Sequence, residues 1–150
     1  MQISARADYA VRAMLELAEA GDMVTAQALA DGQGLPHKFL EAILGDLRRA
    51  GLVRSHRGAV GGYRLATEAD RITIGDIIRA VDGPLAGVRG MRPEEANYEG
   101  AAEHLQVVWV ATRAAVRSVL DEITLATAVS GRFSAHIRKL ADSPGAWEPR

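Results

Sequence analysis

Residues 36–66 read "PHKFLEAILGDLRRAGLVRSHRGAVGGYRLA". In the first half, Phe39, Leu40, Ile43, Leu44 and Leu47 recur at steps of three and four, the spacing of one buried face of an α-helix, and Gly51 closes the run. Pro36 suits the first helical position because its ring fixes φ near the helical value. His37, Lys38 and Glu41 begin the opposite, polar face. In the second half the period changes to two. "LVRSHR" and "YRLA" alternate apolar and polar residues, as half-buried strands do, and Gly58, Gly61 and Gly62 between them suit a tight turn. A helix thus runs directly into a glycine-turned hairpin.

Upstream, "SARADYAVRAMLELAEAG" (4–21) puts Ala10, Met14, Leu17 and Ala18 on one side of a first helix, capped by Ser4 and ended by Gly21. "VTAQALADGQG" (24–34) predicts a short second helix, capped by Thr25 and closed near Gly32 to Gly34. Two short helices joined by a glycine-containing turn, the second with a polar leading end, have the form of a helix-turn-helix; the following hairpin makes it a winged helix. "TIGDIIRAVDG" (73–83) predicts a fourth helix between Thr73 and Gly83.

Residues 84–100 hold Pro84, Pro93, Gly87, Gly90 and Gly100 with no period, so they form a loop. From 101 to 128 the pattern is helical again. There Leu105, Trp109, Thr112, Val116, Val119 and Ile123 recur at alternating steps of four and three, a stripe that calls for a partner helix. The simplest partner is the same helix of a second copy, giving a two-fold homodimer; the alternative is packing wholly within one chain. Residues 129–150 supply a short C-terminal helix and a tail. The predicted fold class is therefore mainly α: a winged helix-turn-helix domain over 1–83 with a small β-hairpin wing, plus a long C-terminal dimerisation helix.

Charge is distributed unevenly. The net charge of −1 conceals a segment, 36–66, in which Lys38, Arg48, Arg49, Arg54, Arg57 and Arg64 face only Glu41 and Asp46. Such a segment in a near-neutral chain fits a phosphate-facing surface, although a solvated face has the same composition. There is no cysteine, which removes disulfides, thiolate nucleophiles and cysteine-ligated zinc or iron–sulfur clusters. No apolar run is long enough to span a membrane and the N-terminus lacks a basic cluster followed by an apolar stretch, so a soluble, cytoplasmic protein is expected.

The combination "LRRAGLV", "RG", "GGYRL" and "DIIRAVDG", in this order, resembles the Rrf2 family of bacterial transcription regulators. The resemblance covers most of the chain. It implies a homodimer that binds double-stranded DNA at a partly palindromic operator, most simply as a repressor, with the third helix in the major groove and the wing at the adjacent minor groove. By the match, Lys38, Glu41 and Arg57 occupy base- or groove-contacting positions. Their chemistry agrees: lysine can bond guanine, glutamate can accept from cytosine, and arginine suits a narrow, electronegative minor groove. Pro36 and His37 sit beside them, and Gly58, Gly61 and Gly62 shape the wing. Ser4 and Tyr9 are candidates for phosphate contacts; Arg48, Arg49, Arg54 and Arg64 for the backbone or the rim.

Cluster-binding relatives carry three cysteines in the loop that corresponds to 84–103. This sequence has Arg89, Met91, Arg92, Glu94, Glu95 and Glu103 there instead, with Gln106 beyond. Asp8 matches a position that supplies an oxygen ligand in some members, but without thiolates it is read as a helix-start charge. Glu103 and His104 match no recognised metal spacing, so neither cofactor nor metal is expected. The resemblance points instead to regulation by a partner protein or a small-molecule effector.

Two other functions compete with this reading. A winged helix can serve as a protein-interaction module, here docking to a metabolic enzyme, a reading favoured by the missing cysteines and the acidic remainder of the chain. An enzyme is not expected. "GAVGGY" lacks the following helix and the Lys-Ser/Thr pair of a nucleotide loop, and the acids and histidines form no nucleophile–base pattern.

Overall fold

The computed structural model describes residues 2–149. Its first helix, α1 (Ala5–Ala20), begins where the Ser4 side chain accepts the Ala7 N–H and ends at Gly21, whose left-handed backbone returns an N–H to the Leu17 carbonyl. The next, α2 (Ala26–Gln33), is capped by Thr25 and closed by Gly34 in the same conformation. In α3 (His37–Arg49), Pro36 is the cap and not the first helical residue: its φ is helical but its ψ of 118° is extended. Leu40, Ile43, Leu44 and Leu47 are fully buried along α3. Phe39, expected among them, is 40% exposed, because it lies a helical step off that face and rests edge-on against Tyr9.

The wing consists of β1 (Val53–His56) and β2 (Gly62–Leu65), antiparallel, with Val53 opposite Leu65 and Ser55 opposite Tyr63. Val24 adds a one-residue third strand, exchanging both backbone bonds with Tyr63 at 2.9 and 2.8 Å. Here glycine is obligatory. A Cβ at Gly62 would stand 2.5 Å from the Val24 carbonyl oxygen, and one at Gly61 2.5 Å from the His56 carbonyl oxygen.

Helix α4 (Ile74–Asp82) opens with a reciprocal capping box between Thr73 and Asp76. It packs with α1 and α3 around one core that includes Met14, Leu17, Leu29, Val53, Ile72, Ile77 and Leu125, all at 2% exposure or less. Burying each large aliphatic side chain there contributes about 1.5–3 kcal/mol.

The loop after α4 is more ordered than its composition predicts. Val88 and Met91 form a bridged turn, Pro93–Glu95 and Gly100–Ala102 are 3₁₀ turns, and Pro93 and Ala96 are buried. The continuous helix expected over 101–128 is divided into α5 (Leu105–Leu120) and α6 (Leu125–Ser130). Between them the chain makes a bridge to the start of α4: Ile74 N–H donates to the Ile123 carbonyl and Leu125 N–H to the Ile72 carbonyl, both at 2.9 Å. Thr124 then caps α6 by accepting the Thr127 N–H. This break turns Leu125 into the core, which an unbroken helix would not. The last helix, α7 (Ala135–Ala141), is capped by Ser134. Among the described residues no helix is long and apolar enough to cross a membrane.

Candidate nucleic-acid interface

The winged half presents α3 by its leading end. His37, Lys38 and Glu41 follow the Pro36 cap, with Lys38 and Glu41 exposed and His37 Nδ1 3.9 Å from Glu41 Oε1. Behind them, Tyr9 meets Phe39 edge-on with ring centroids 5.7 Å apart, and the Arg12 guanidinium lies 5.8 Å from the Tyr9 ring. Arg12 also donates to the Gln33 side chain at 3.0 Å. Tyr9 therefore braces α3 against α1 and α2, fixing the angle at which the polar residues are offered.

A groove runs between the start of α2 and the wing. Arg48, Ser55, His56, Arg57, Gly58, Gly61 and Gly62 line it together with Thr25 and Tyr63. Arg48 Nη1 donates to Ser55 Oγ at 3.3 Å, tying the end of α3 to β1. The strand period separates the other arginines from this groove. Arg54 pairs across the ladder with Arg64, and both line a different depression beside Asp22 and Glu68. Arg49 is held by Asp46, which also takes Arg6. Among the described residues, Lys38, Arg48, Arg54, Arg57 and Arg64 have no carboxylate ion partner. The structure thus brings Arg48, Arg57 and the wing glycines together near α3, and sets Arg54, Arg64 and Arg49 apart.

Ser4 is otherwise engaged. Its hydroxyl accepts the Ala7 N–H and donates its only proton to Asp82 Oδ2 at 2.5 Å, leaving none for a phosphate. Asp8 lies 3.5 Å from Arg12, a turn along α1, in keeping with a helix-start charge. Thr25 and Ser55 line the groove without a sequence signal of binding. Thr25 was legible only as a cap, and Ser55 only as a polar position in an alternating strand.

On α5, Leu105, Trp109, Val116 and Val119 are half-buried against their own chain, as is Ile123 just beyond; Thr112 is exposed. Val116 and Leu120 pack on Ala7, Ile78 and Leu85. The large apolar side chains of α5 left uncovered are Val107, Val108 and Val110, at 68%, 51% and 37% exposure. By the helical period Val107 lies opposite Val116, with Val108 and Val110 on the two flanks of α5.

The loop residues do not converge on a metal. Arg89 stacks over Tyr98 at 5.6 Å, Glu94 pairs with Arg113, and the Gln106 amide donates to the Glu94 and Ala96 carbonyls at 3.0 Å. Glu103 and His104 are exposed. Glu94 is held below the ordinary glutamate range, chiefly by its own backbone N–H, then by Arg113 and the charge of Arg92. Among the described residues no three His, Asp or Glu side chains approach closely enough to hold a metal.

The Rrf2 family profile, described as an iron-dependent transcriptional regulator, matches residues 3–131. The chain belongs to the Rrf2 family. This regulator is 48% identical over 150 residues to a protein named as an HTH-type transcriptional regulator, Rv1287 of Mycobacterium tuberculosis, covering 99% of this chain and 93% of that one. It is 41% identical to the HTH-type transcriptional regulator CymR of Bacillus subtilis over 128 residues, 83% and 87% of the two chains. Among solved structures it is similar to that CymR, the global cysteine regulator, with a TM-score of 0.73 and 37% identity over 87% of this chain and 98% of the other. It is also similar to an IscR from T. potens, with a TM-score of 0.71 and 32% identity over 92% and 96%.

The winged helix-turn-helix and the DNA-binding class of this Rrf2 regulator are thereby established, and its relatives are regulators, not enzymes. The iron in the family's description does not fit the residues present. An iron–sulfur cluster needs soft thiolates, the sequence has no cysteine, and the loop carries arginines and carboxylates engaged with one another.

Proposed function

We propose that this regulator acts as a homodimer without an iron–sulfur cluster, binding a partly palindromic operator and repressing transcription. Repression by occlusion of promoter DNA needs no contact beyond the operator itself. In this reading α3 enters the major groove with Lys38 and Glu41 at base edges. The wing brings Arg57 to the neighbouring minor groove, and Arg48 meets the phosphates between them.

The observation that carries the proposal is the unneutralised pair Arg48 and Arg57, lining one groove with the wing glycines between the start of α2 and the end of α3, while Lys38 and Glu41 stand exposed at the other end of α3. Cations without carboxylate partners are available to phosphate, and their release of counterions makes binding salt-dependent. The dimer seam runs along α5. Its uncovered valines, Val107 and Val108, and the exposed Thr112 extend the apolar surface whose other edge packs on the winged half.

The test is fluorescence anisotropy with a duplex selected from a random library and with unselected duplex, each at several salt concentrations. The selected site is expected to bind at least about a thousandfold more tightly, with a steep negative salt slope. Equal affinity for both duplexes would remove the sequence-specific reading.

A further inference from the structure

We propose that the cleft between the end of α4 and the middle of α5 binds a small oxyanion ligand, a metabolite carrying a phosphate or carboxylate group. The cleft holds about 340 Å³, within the range of small-molecule sites. Arg79, Arg92, Arg113 and Arg117 bring four guanidinium groups to its wall, and Glu94 is the one carboxylate among the lining residues. Pro84 and Leu85 add an apolar surface for the body of an organic ligand.

The charges do not cancel. Arg79 is held by Asp121 at 2.6 Å and by Asp76 at 3.3 Å, and Arg113 by Glu94. Arg92 and Arg117 have no carboxylate ion partner among the described residues. Among the lining residues four arginines stand against Glu94 alone, and the guanidinium groups of Arg92 and Arg117 border the concave space without an ion pair among the described residues; Glu95, outside the lining, accepts the Arg92 backbone N–H at 3.2 Å. Guanidinium presents a planar fork of donors that matches carboxylate or phosphate oxygens two at a time, so an oxyanion is the ligand this arrangement recognises.

The cleft is distinct from the wing groove. None of its lining residues lies in the basic segment 36–66, and its walls come from both halves of the molecule: Arg79 on α4, which packs on α1 and α3, and Arg113 and Arg117 on α5. The inference does not depend on DNA binding and stands or falls by direct titration.

The experiment is isothermal titration calorimetry of the full chain with pyrophosphate and, separately, with citrate, at matched ionic strength. Three proteins are compared: wild type, the double variant Arg92→Gln/Arg117→Gln, and Arg57→Ala as a control for the wing. Both cleft arginines are exposed and lack ion partners, so the double variant is expected to fold; a melting curve coincident with wild type checks this. The expected result is saturable binding of at least one probe at one per chain, weakened about tenfold or more in the double variant and unchanged in Arg57→Ala. Binding of pyrophosphate alone assigns a phosphate ligand, and of citrate alone a carboxylate. Absence of saturable binding of both probes, equal loss in both variants, or loss only in Arg57→Ala would overturn the proposal.

Discussion

Helices α1 and α5 are each 16 residues long, yet they are used in opposite ways. Arg6, Asp8, Arg12, Glu16 and Glu19 lie along α1, which nevertheless buries Ala7, Ala10, Ala13, Met14 and Leu17 to 1% exposure or less. Only Arg113 and Arg117 are charged along α5, and it has no fully buried residue. The less charged helix is the more exposed one. The difference lies in what each helix packs against: α1, with the small side chains Ala7, Ala10 and Ala13 on its inner face, is enclosed by α3, α4 and α6, whereas α5 leaves Val107 and Val108 uncovered by its own chain, the surface that the proposed second copy would cover.

The largest effect should come from the core side of that comparison. Leu17→Ala removes a buried side chain from α1 and is expected to cost about 2–5 kcal/mol in urea unfolding. Val108→Ala, on the exposed side of α5, should cost well under about 1 kcal/mol in the isolated monomer. Equal costs would erase the contrast between the two helices.

Val108→Asp tests the same helix in the assembly. A carboxylate in the proposed seam should weaken the dimer by about 2 kcal/mol or more, roughly thirtyfold, in sedimentation velocity across a dilution series. An unchanged dimer would move the seam off this face.

A contrast within the winged half follows. Arg57→Ala is expected to cost about 1–3 kcal/mol on the selected site and less on random duplex. Arg48→Ala should weaken both alike and lower the salt slope by about one. Identical behaviour of the two variants would remove the division between groove reading and phosphate contact.

The smallest effect concerns the loop in front of α5. Because its own backbone N–H and then Arg113 hold Glu94 below the ordinary glutamate range in the folded chain, these contacts to the carboxylate stabilise above the unfolded-state value. That contribution is lost as pH falls through the lowered one. Glu94→Gln should therefore lower the melting temperature slightly at pH 7 and have no effect in strong acid. The reverse pH dependence would contradict the assignment.

The winged helix was legible because its signals are local. Ser4, Thr25 and Thr73 as caps and the turn at Gly58 and Gly61 act within a few residues, and the apolar face of α3 is realised at Leu40, Ile43, Leu44 and Leu47 though not at Phe39; the need for Gly62 comes from Val24, far away in sequence. The bridge at Ile123 and Leu125 was not legible, since it joins residues about fifty positions apart and overrides a helical period that continues through the break. The role of Ser4 was hidden for the same reason: Asp82, its acceptor, lies 78 residues away. The division of the arginines was partly hidden. Alternation in β1 and β2 separates Arg54 and Arg64 from Ser55, but only the packing of the wing on α2 gathers Arg48 with Arg57.

Hydroxyl-radical footprinting of the selected duplex tests the central claim most directly, because it reads the docking of α3 and the dimer together. The account predicts two protected half-sites related by approximate two-fold symmetry and separated by a whole number of helical turns. A single unsymmetrical patch, or protection that ignores sequence, would contradict it.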